Sequence, residues 1–327
     1  MSQESELTPT AEPETVAKDQ LELAVMAQIH QLITTHGVEA AKAMTRGKLE
    51  RQCVETAFAV LSDEQNRIGI MHAGFAMTAL PHKDLKATQW VRQGGNVKLI
   101  VESGTDSDLS PVGLPFGSIA RMILLYLQTE AVKTKSREIE LGRSMNHWLT
   151  SMGIDNGGKT YRLVREQSRR LSLCRLTFFR IQDNSTHVTN GSFVRDAILP
   201  TIGDNQLTLW KEAVRLDEGF FQSLIEHPMP VREAAIRELG ARSMAIDIYV
   251  WLAYRLHKIE QPTSLSWTSL FHQFGSGYRH IRQFRARFKE TLDLALAAYP
   301  EARVSADDKG MTLYPSDPPV APRALIR

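Results

Sequence analysis

Only two of the chain's 327 residues are cysteine, Cys53 and Cys174. Two thiols cannot close a four-ligand zinc site or staple a small scaffold, so a reducing cytoplasm is the expected compartment. Long apolar runs are missing too. The longest, Met122–Leu127 and Ile248–Ala253, fall far short of the ~20 residues a bilayer span needs, so no membrane association is expected. The first residues are acidic and carry no apolar stretch, which excludes a secretory leader from the reading. Histidines are present, but no two stand at His-x-His or His-x-x-x-His spacing. A metal-dependent rolling-circle nuclease would need such a pair beside a tyrosine nucleophile. Net charge is low as well, at +2, so the protein is not a general polycation.

What charge there is lies unevenly. Residues 159–180 hold seven Lys/Arg against one Glu, whereas residues 1–20 hold five acids against one Lys. Concentrated cation on a nearly neutral body favours a defined anionic partner.

The basic stretch belongs to a pattern. Met145, Trp148, Leu149 and Met152 fall at i, i+3, i+4 and i+7, the apolar stripe of a helix, and Gly153 follows at once. After a turn over residues 154–158, a second helix from about Thr160 turns Tyr161, Val164, Ser168 and Leu171 to one side. Lys159, Arg162, Arg165, Arg169 and Arg170 take the remaining arc. About 120 residues later the arrangement returns. Trp267, Leu270, Phe271 and Phe274 repeat the spacing, Gly275-Ser276-Gly277 forms the turn, and a helix is expected from Tyr278. Its apolar face is Tyr278, Ile281, Phe284, Phe288, Leu292 and Ala295. Arg279, Arg282, Arg287 and Lys289 point away, with Arg285 at the border. One packed face and one cationic face, after a glycine turn, suit a helix that enters a DNA groove. Solvated arginine on an ordinary helix is the plainer alternative.

Taken in order, residues 1–20 read as a disordered acidic tail. Helices are expected over 20–35 and 38–61, the latter broken near Gly47. Gly69–Ala79 and Val97–Val101 read as strands separated by a loop, followed by a helix at Ser118–Thr129 and a short strand at Arg137–Leu141. After the first helix-turn-helix, Arg175–Ile181 is β-prone and Gln182–Asn190 reads as a polar loop ending in an Asn190-Gly191 turn. Ser192–Leu199 and Leu207–Leu216 then return as strands. His227-Pro228-Met229-Pro230 reads as a boundary before a long helix at Val231–Lys258. A strand at Ser264–Ser266, the second helix-turn-helix and a hairpin (Ala302–Ser305, Met311–Tyr314) complete the order. The expected fold class is α+β: two tandem winged helix-turn-helix domains, at 21–228 and 229–315, with a loose tail at 316–327. The first is enlarged by extra helices and strands.

The run from Leu114 to Cys174, LPFGSIARMILLYLQTEAVKTKSREIELGRSMNHWLTSMGI followed by GGKTYRLVREQSRRLSLC, resembles RepA-type plasmid replication initiators. Upstream, ALPHKD, QW and VKLIVESG fit the same family. The resemblance covers roughly residues 75–230, and the C-terminal unit in layout more than in letters. It implies a cytoplasmic initiator that binds repeated sequences of double-stranded origin DNA, helps open the duplex and recruits host replication proteins. It also implies repression of its own gene by a homodimer. On this reading Arg162, Arg165 and Arg169 enter one major groove and Arg279, Arg282 and Arg285 another, while Lys159, Arg170, Arg287 and Lys289 contact phosphates.

Two rivals stand beside it. A winged-helix transcriptional repressor without a replication role would show the same basic helices. A P-loop ATPase acting on DNA is suggested by Gly153–Thr160, which matches GxxxxGKT letter for letter. A P-loop follows a buried strand, however, and Met145–Met152 has helical spacing. No enzyme activity, cofactor or metal is therefore expected.

Overall fold

The computed structural model describes residues 28–141, 149–150, 153–154, 157–182, 185–197 and 213–321. The acidic tail, Met145, Trp148, Met152 and the stretch 198–212 lie outside them.

The chain begins with three helices, α1 (28–36), α2 (Val38–Ala43) and α3 (Lys48–Leu61). Gly47 does separate the second from the third. Strand β1 (Ile68–His72) leads into a short helix α4 (Ala73–Met77), where a strand to Ala79 was expected. The switch occurs at His72, whose Nδ1 accepts the Gly74 N–H at 3.0 Å and so caps the helix start. The expected loop contains another strand, β2 (Gln89–Gly94), hairpin-paired with β3 (Val97–Glu102). Helix α5 (Gly117–Thr134) follows, ending in left-handed Lys135, and then β4 (Glu138–Glu140).

Helix α6 (Gly158–Leu173) carries the first basic face. Next come β5 (Arg175–Gln182) and β6 (Ser185–Ser192), so the polar stretch read as a loop is a strand. Asn190 sits opposite Thr177 in that ladder, not in a turn. The strand tolerates polar residues because it is the edge of the sheet β2-β3-β5-β6. A separate sheet of order β4-β8-β7 is built from β4, β7 (Val194–Ala197) and β8 (Ala213–Leu216).

Helix α7 (Glu218–Glu226) is capped by Asp217, and β9 (Pro228–Arg232) pairs antiparallel with β1. Pro228, Met229 and Pro230 of the segment read as a boundary thus lie in a strand. Its prolines fit because, among the described residues, the strand has a partner on one side only. The single long helix expected beyond it is two, α8 (Glu233–Glu238) and α9 (Ser243–Arg255), broken around Gly240. The chain closes with β10 (Thr263–Ser266), α10 (Trp267–Phe274), α11 (Ile281–Ala297), β11 (Val304–Ala306) and β12 (Gly310–Leu313), in a sheet of order β10-β12-β11.

One continuous apolar core runs from Ile29 to Leu313. Helix α3 packs on α11, and α9 packs on α4 and α5. One buried polar link between the halves is an ion pair. Arg121 on α5 donates from Nε and Nη2 to the two carboxylate oxygens of Asp247 on α9, each at 2.6 Å. Its remaining donors reach the carbonyls of Leu80, Pro81 and Gly117.

Buried His72 and partly buried His82 are held neutral. His72 accepts at Nδ1, so its Nε2 carries the proton and donates to Ser223 Oγ at 2.9 Å. Desolvation, helped by neighbouring His227 and Arg180, pulls it down to about 3. Desolvation likewise pulls His82 down to about 4, against the opposing pull of Asp247. Both folded values lie below the unfolded ~6.5, so the unfolded chain takes up protons that the folded chain refuses. Stability from these groups is complete above pH ~6.5 and declines as pH falls toward 4, by at most about 1.4 kcal/mol per histidine per pH unit. Urea midpoints should therefore drop between pH 7 and pH 5, and less steeply in His82→Gln. A flat profile in that window would contradict this account.

Candidate nucleic-acid interface

The C-terminal helix-turn-helix is built by ring packing. Ser266 Oγ accepts the Ser269 N–H at 3.2 Å and starts α10. Trp267 meets Phe288 at 5.9 Å, Phe271 meets Phe284 at 5.4 Å and Phe274 meets Phe288 at 5.5 Å, edge-on or tilted. Gly275 lets the turn close, because a Cβ there would stand 2.4 Å from the Phe271 ring. Gly277 is left-handed at φ 92°.

Helix α11 starts at Ile281, three residues later than expected, so Arg279 belongs to the turn. Arg279 and Arg282 are exposed and have no partner among the described residues. Arg285, expected to read bases, is committed elsewhere. Its Nη2 donates to the Asp308 carbonyl at 3.0 Å and carboxylate at 3.2 Å, and its guanidinium lies over the Trp267 ring at 5.1 Å. It fastens the helix to the β11–β12 hairpin. That hairpin is itself closed by Asp307 Oδ1, which accepts the N–H groups of Lys309 and Gly310. Arg287 is exposed but paired with Glu290 at 2.6 Å, and Lys289 is half-buried and also engaged.

Of the first unit, the structure describes Leu149, Thr150, Gly153, Ile154 and helix α6. Gly153 is left-handed at φ 66°, its N–H donates to Thr150 O at 3.0 Å, and Ile154 N–H donates to Leu149 O at 2.9 Å. These two bonds are the closure that ends a helix at a glycine. The GxxxxGKT string therefore starts at a helix end, whereas a phosphate loop needs a strand there. Lys159, Arg162 and Arg165 are exposed on α6 and unpartnered among the described residues. Val164, Gln167 and Leu171 are buried beneath them.

Two of the five expected contacts on α6 are corrected. Arg169 is ion-paired with Asp106. Arg170 is buried: Nε donates to Glu166 at 2.7 Å, Nη1 to Leu114 O at 2.9 Å and Nη2 to Asp84 at 3.3 Å, over the Phe116 ring at 5.1 Å. It sits at the edge of the basic arc, where Leu114 and Phe116 from one loop and Asp84 from another meet the helix. Arg170 is part of the core, not a phosphate contact.

One structural residue escaped the sequence reading. Arg92 on β2 is buried, with Nη1 on His272 O at 3.2 Å and Nη2 on Ser276 Oγ at 3.0 Å. It ties the N-terminal half to the C-terminal turn. Its only signal was an arginine at an inward position of an alternating strand, beside Trp90.

Residues 114–268 match the family model of the plasmid-encoded RepA protein. The resemblance of the Leu114–Cys174 run to RepA-type proteins is thereby shown. The RepA match takes in α6 and ends at the start of α10, so the second basic helix lies beyond it. No curated protein matches the chain. Among solved structures, two of domains 2 and 3 of RctB are similar at 11% identity. One, a selenomethionine derivative, covers 67% of this chain and 82% of its own at a TM-score of 0.45. The other covers 73% and 93% at 0.44. No described helix is long and apolar enough to cross a membrane.

Proposed function

We propose that the chain is a non-enzymatic plasmid replication initiator that reads duplex DNA with two winged helix-turn-helix units. The observation that carries this is the pair of cationic clusters without partners among the described residues, Lys159/Arg162/Arg165 and Arg279/Arg282, each at the start of a helix that follows a glycine turn. Arginine left without a carboxylate at that place is available to phosphates and guanine edges. The flanking sheets support the winged reading, since in each a strand before the helix pair is joined by two strands after it. The RepA resemblance extends the proposal to repeated origin sites, duplex opening, host replication proteins and a repressing dimer.

The test uses a duplex selected from a random pool by the wild-type chain. Arg282→Ala should lose about 1–3 kcal/mol on that duplex and relax specificity at one position, because a bidentate arginine–guanine contact discriminates by that amount. Lys159→Ala should weaken selected and random DNA alike, and the wild type should bind no ATP. Unchanged affinity in both variants would refute the DNA reading. Micromolar ATP binding lost in Lys159→Ala would refute the non-enzymatic part.

A further inference from the structure

We propose that Lys83 and Lys48, both from the N-terminal half, grip the DNA backbone beside the C-terminal reader, on the side away from its hairpin. This rests on the reading of α11 as a DNA-binding helix. Its exposed arc has two borders. Arg285 marks one, where the hairpin sits. Arg287 marks the other, which opens on a cleft of about 800 Å³ between the two halves. Lys48, Lys83, Arg242 and Arg287 line that cleft, with Glu290 as the one acid among the described residues.

The acid is already neutralised by Arg287, and Arg242 donates to Gln52 at 2.6 Å. Lys48 and Lys83 remain. Both are exposed, and neither has a partner among the described residues. The carboxylate next to Lys83, Asp84, is held by Lys86 at 2.8 Å and Arg170 at 3.3 Å. Glu50, near Lys48, instead accepts the Arg46 N–H.

Position singles these two out from ordinary surface lysines. The chain before Lys83 is pinned: Pro81 O accepts the Gly117 N–H at 2.9 Å, Leu80 O accepts Arg121, and His82 bonds Ser243 Oγ at 3.0 Å. Lys83 then extends along the recognition turn. A Cβ placed on Gly277 would lie 3.5 Å from its Cε and 3.9 Å from its Nζ. Lys48 is the first residue of α3, where the helix dipole disfavours a cation and where no side chain caps the N-terminus. An anion in the cleft mouth would relieve both defects. The anion adjacent to Arg279 and Arg282 is the phosphate chain of the DNA they contact, so DNA rather than an acidic peptide is the occupant.

The test is a salt titration of the full chain on random-sequence and selected duplexes. Each phosphate contact contributes about 0.9 to the slope of log affinity against log salt. Lys48→Gln/Lys83→Gln should flatten the slope by about 1.8, so that the wild-type advantage shrinks roughly tenfold between 50 and 200 mM salt. The ratio of selected to random affinity should stay as in wild type, and Lys48→Arg/Lys83→Arg should keep the full slope. An unchanged slope in the Gln double variant, with specificity still relaxed by Arg282→Ala, would overturn the clamp and leave the reader standing. No effect of either would overturn both. An unchanged slope combined with loss of binding to an acidic peptide would assign the cleft to a protein partner and likewise overturn the clamp.

Discussion

Asp247→Ala should destabilise the protein by about 3–5 kcal/mol, the range for removing one partner of a buried ion pair. The Arg121 guanidinium is almost fully buried and gives both of its paired donors to this carboxylate. Without Asp247 its charge would stay in a dry interior, with only the carbonyls of Leu80, Pro81 and Gly117 for company. His82, whose Nδ1 lies 3.7 Å from Asp247, would lose its only nearby carboxylate among the described residues. The loss belongs to the stranded charge, so the double change Arg121→Met/Asp247→Leu should recover most of it. Urea unfolding measures both. A loss below about 1 kcal/mol in the single variant would mean that water reaches the guanidinium and that this link between the halves is weak.

The second large effect concerns DNA phase. The two basic helices hang on one shared core, with Arg92 pinning the C-terminal turn, so their separation is not freely adjustable. Readers in successive major grooves on one face of the duplex stand about one turn, or ~34 Å, apart, and one chain should cover on the order of 20 base pairs. Inserting about five base pairs between the half-sites rotates one groove to the far side. Losing a half-site of several base pairs, at about 1–3 kcal/mol each, should weaken binding by at least ~100-fold. Gel-shift titration of the two duplexes decides this. Equal affinities would show that a single unit reads DNA.

Sequence periodicity by itself determined the C-terminal helix-turn-helix. Trp267, Leu270, Phe271 and Phe274, then Phe284, Phe288 and Leu292, recur at helical spacing, and that spacing depends only on neighbours a turn away. Gly153 and Gly275 likewise ended helices as expected, because a glycine after an apolar stripe has few other uses there. The RepA resemblance was also legible, being carried by letters rather than by packing.

Only the tertiary structure decided which cations are available. Arg165 and Arg170 lie on one helix and both fall outside its apolar stripe by pattern, yet one is exposed and the other buried. The difference comes from Asp84, Leu114 and Phe116, which are 54 or more residues away in sequence, and helical spacing holds no information about them. The same holds for Arg285, claimed by Asp308 on the hairpin, and for Arg92, whose acceptors lie 180 or more residues away. Strand β6 was missed because an edge strand can be polar on an open face, and only its register with β5 defines it. The single long helix beyond Pro230 was wrong for a similar reason. Ala, Arg and Ile at 231–239 permit a helix, but pairing with β1 draws Val231 and Arg232 into a strand. Local spacing sets where a helix or turn can form; which partner a charge or a strand finds is set by contacts between segments far apart in the chain.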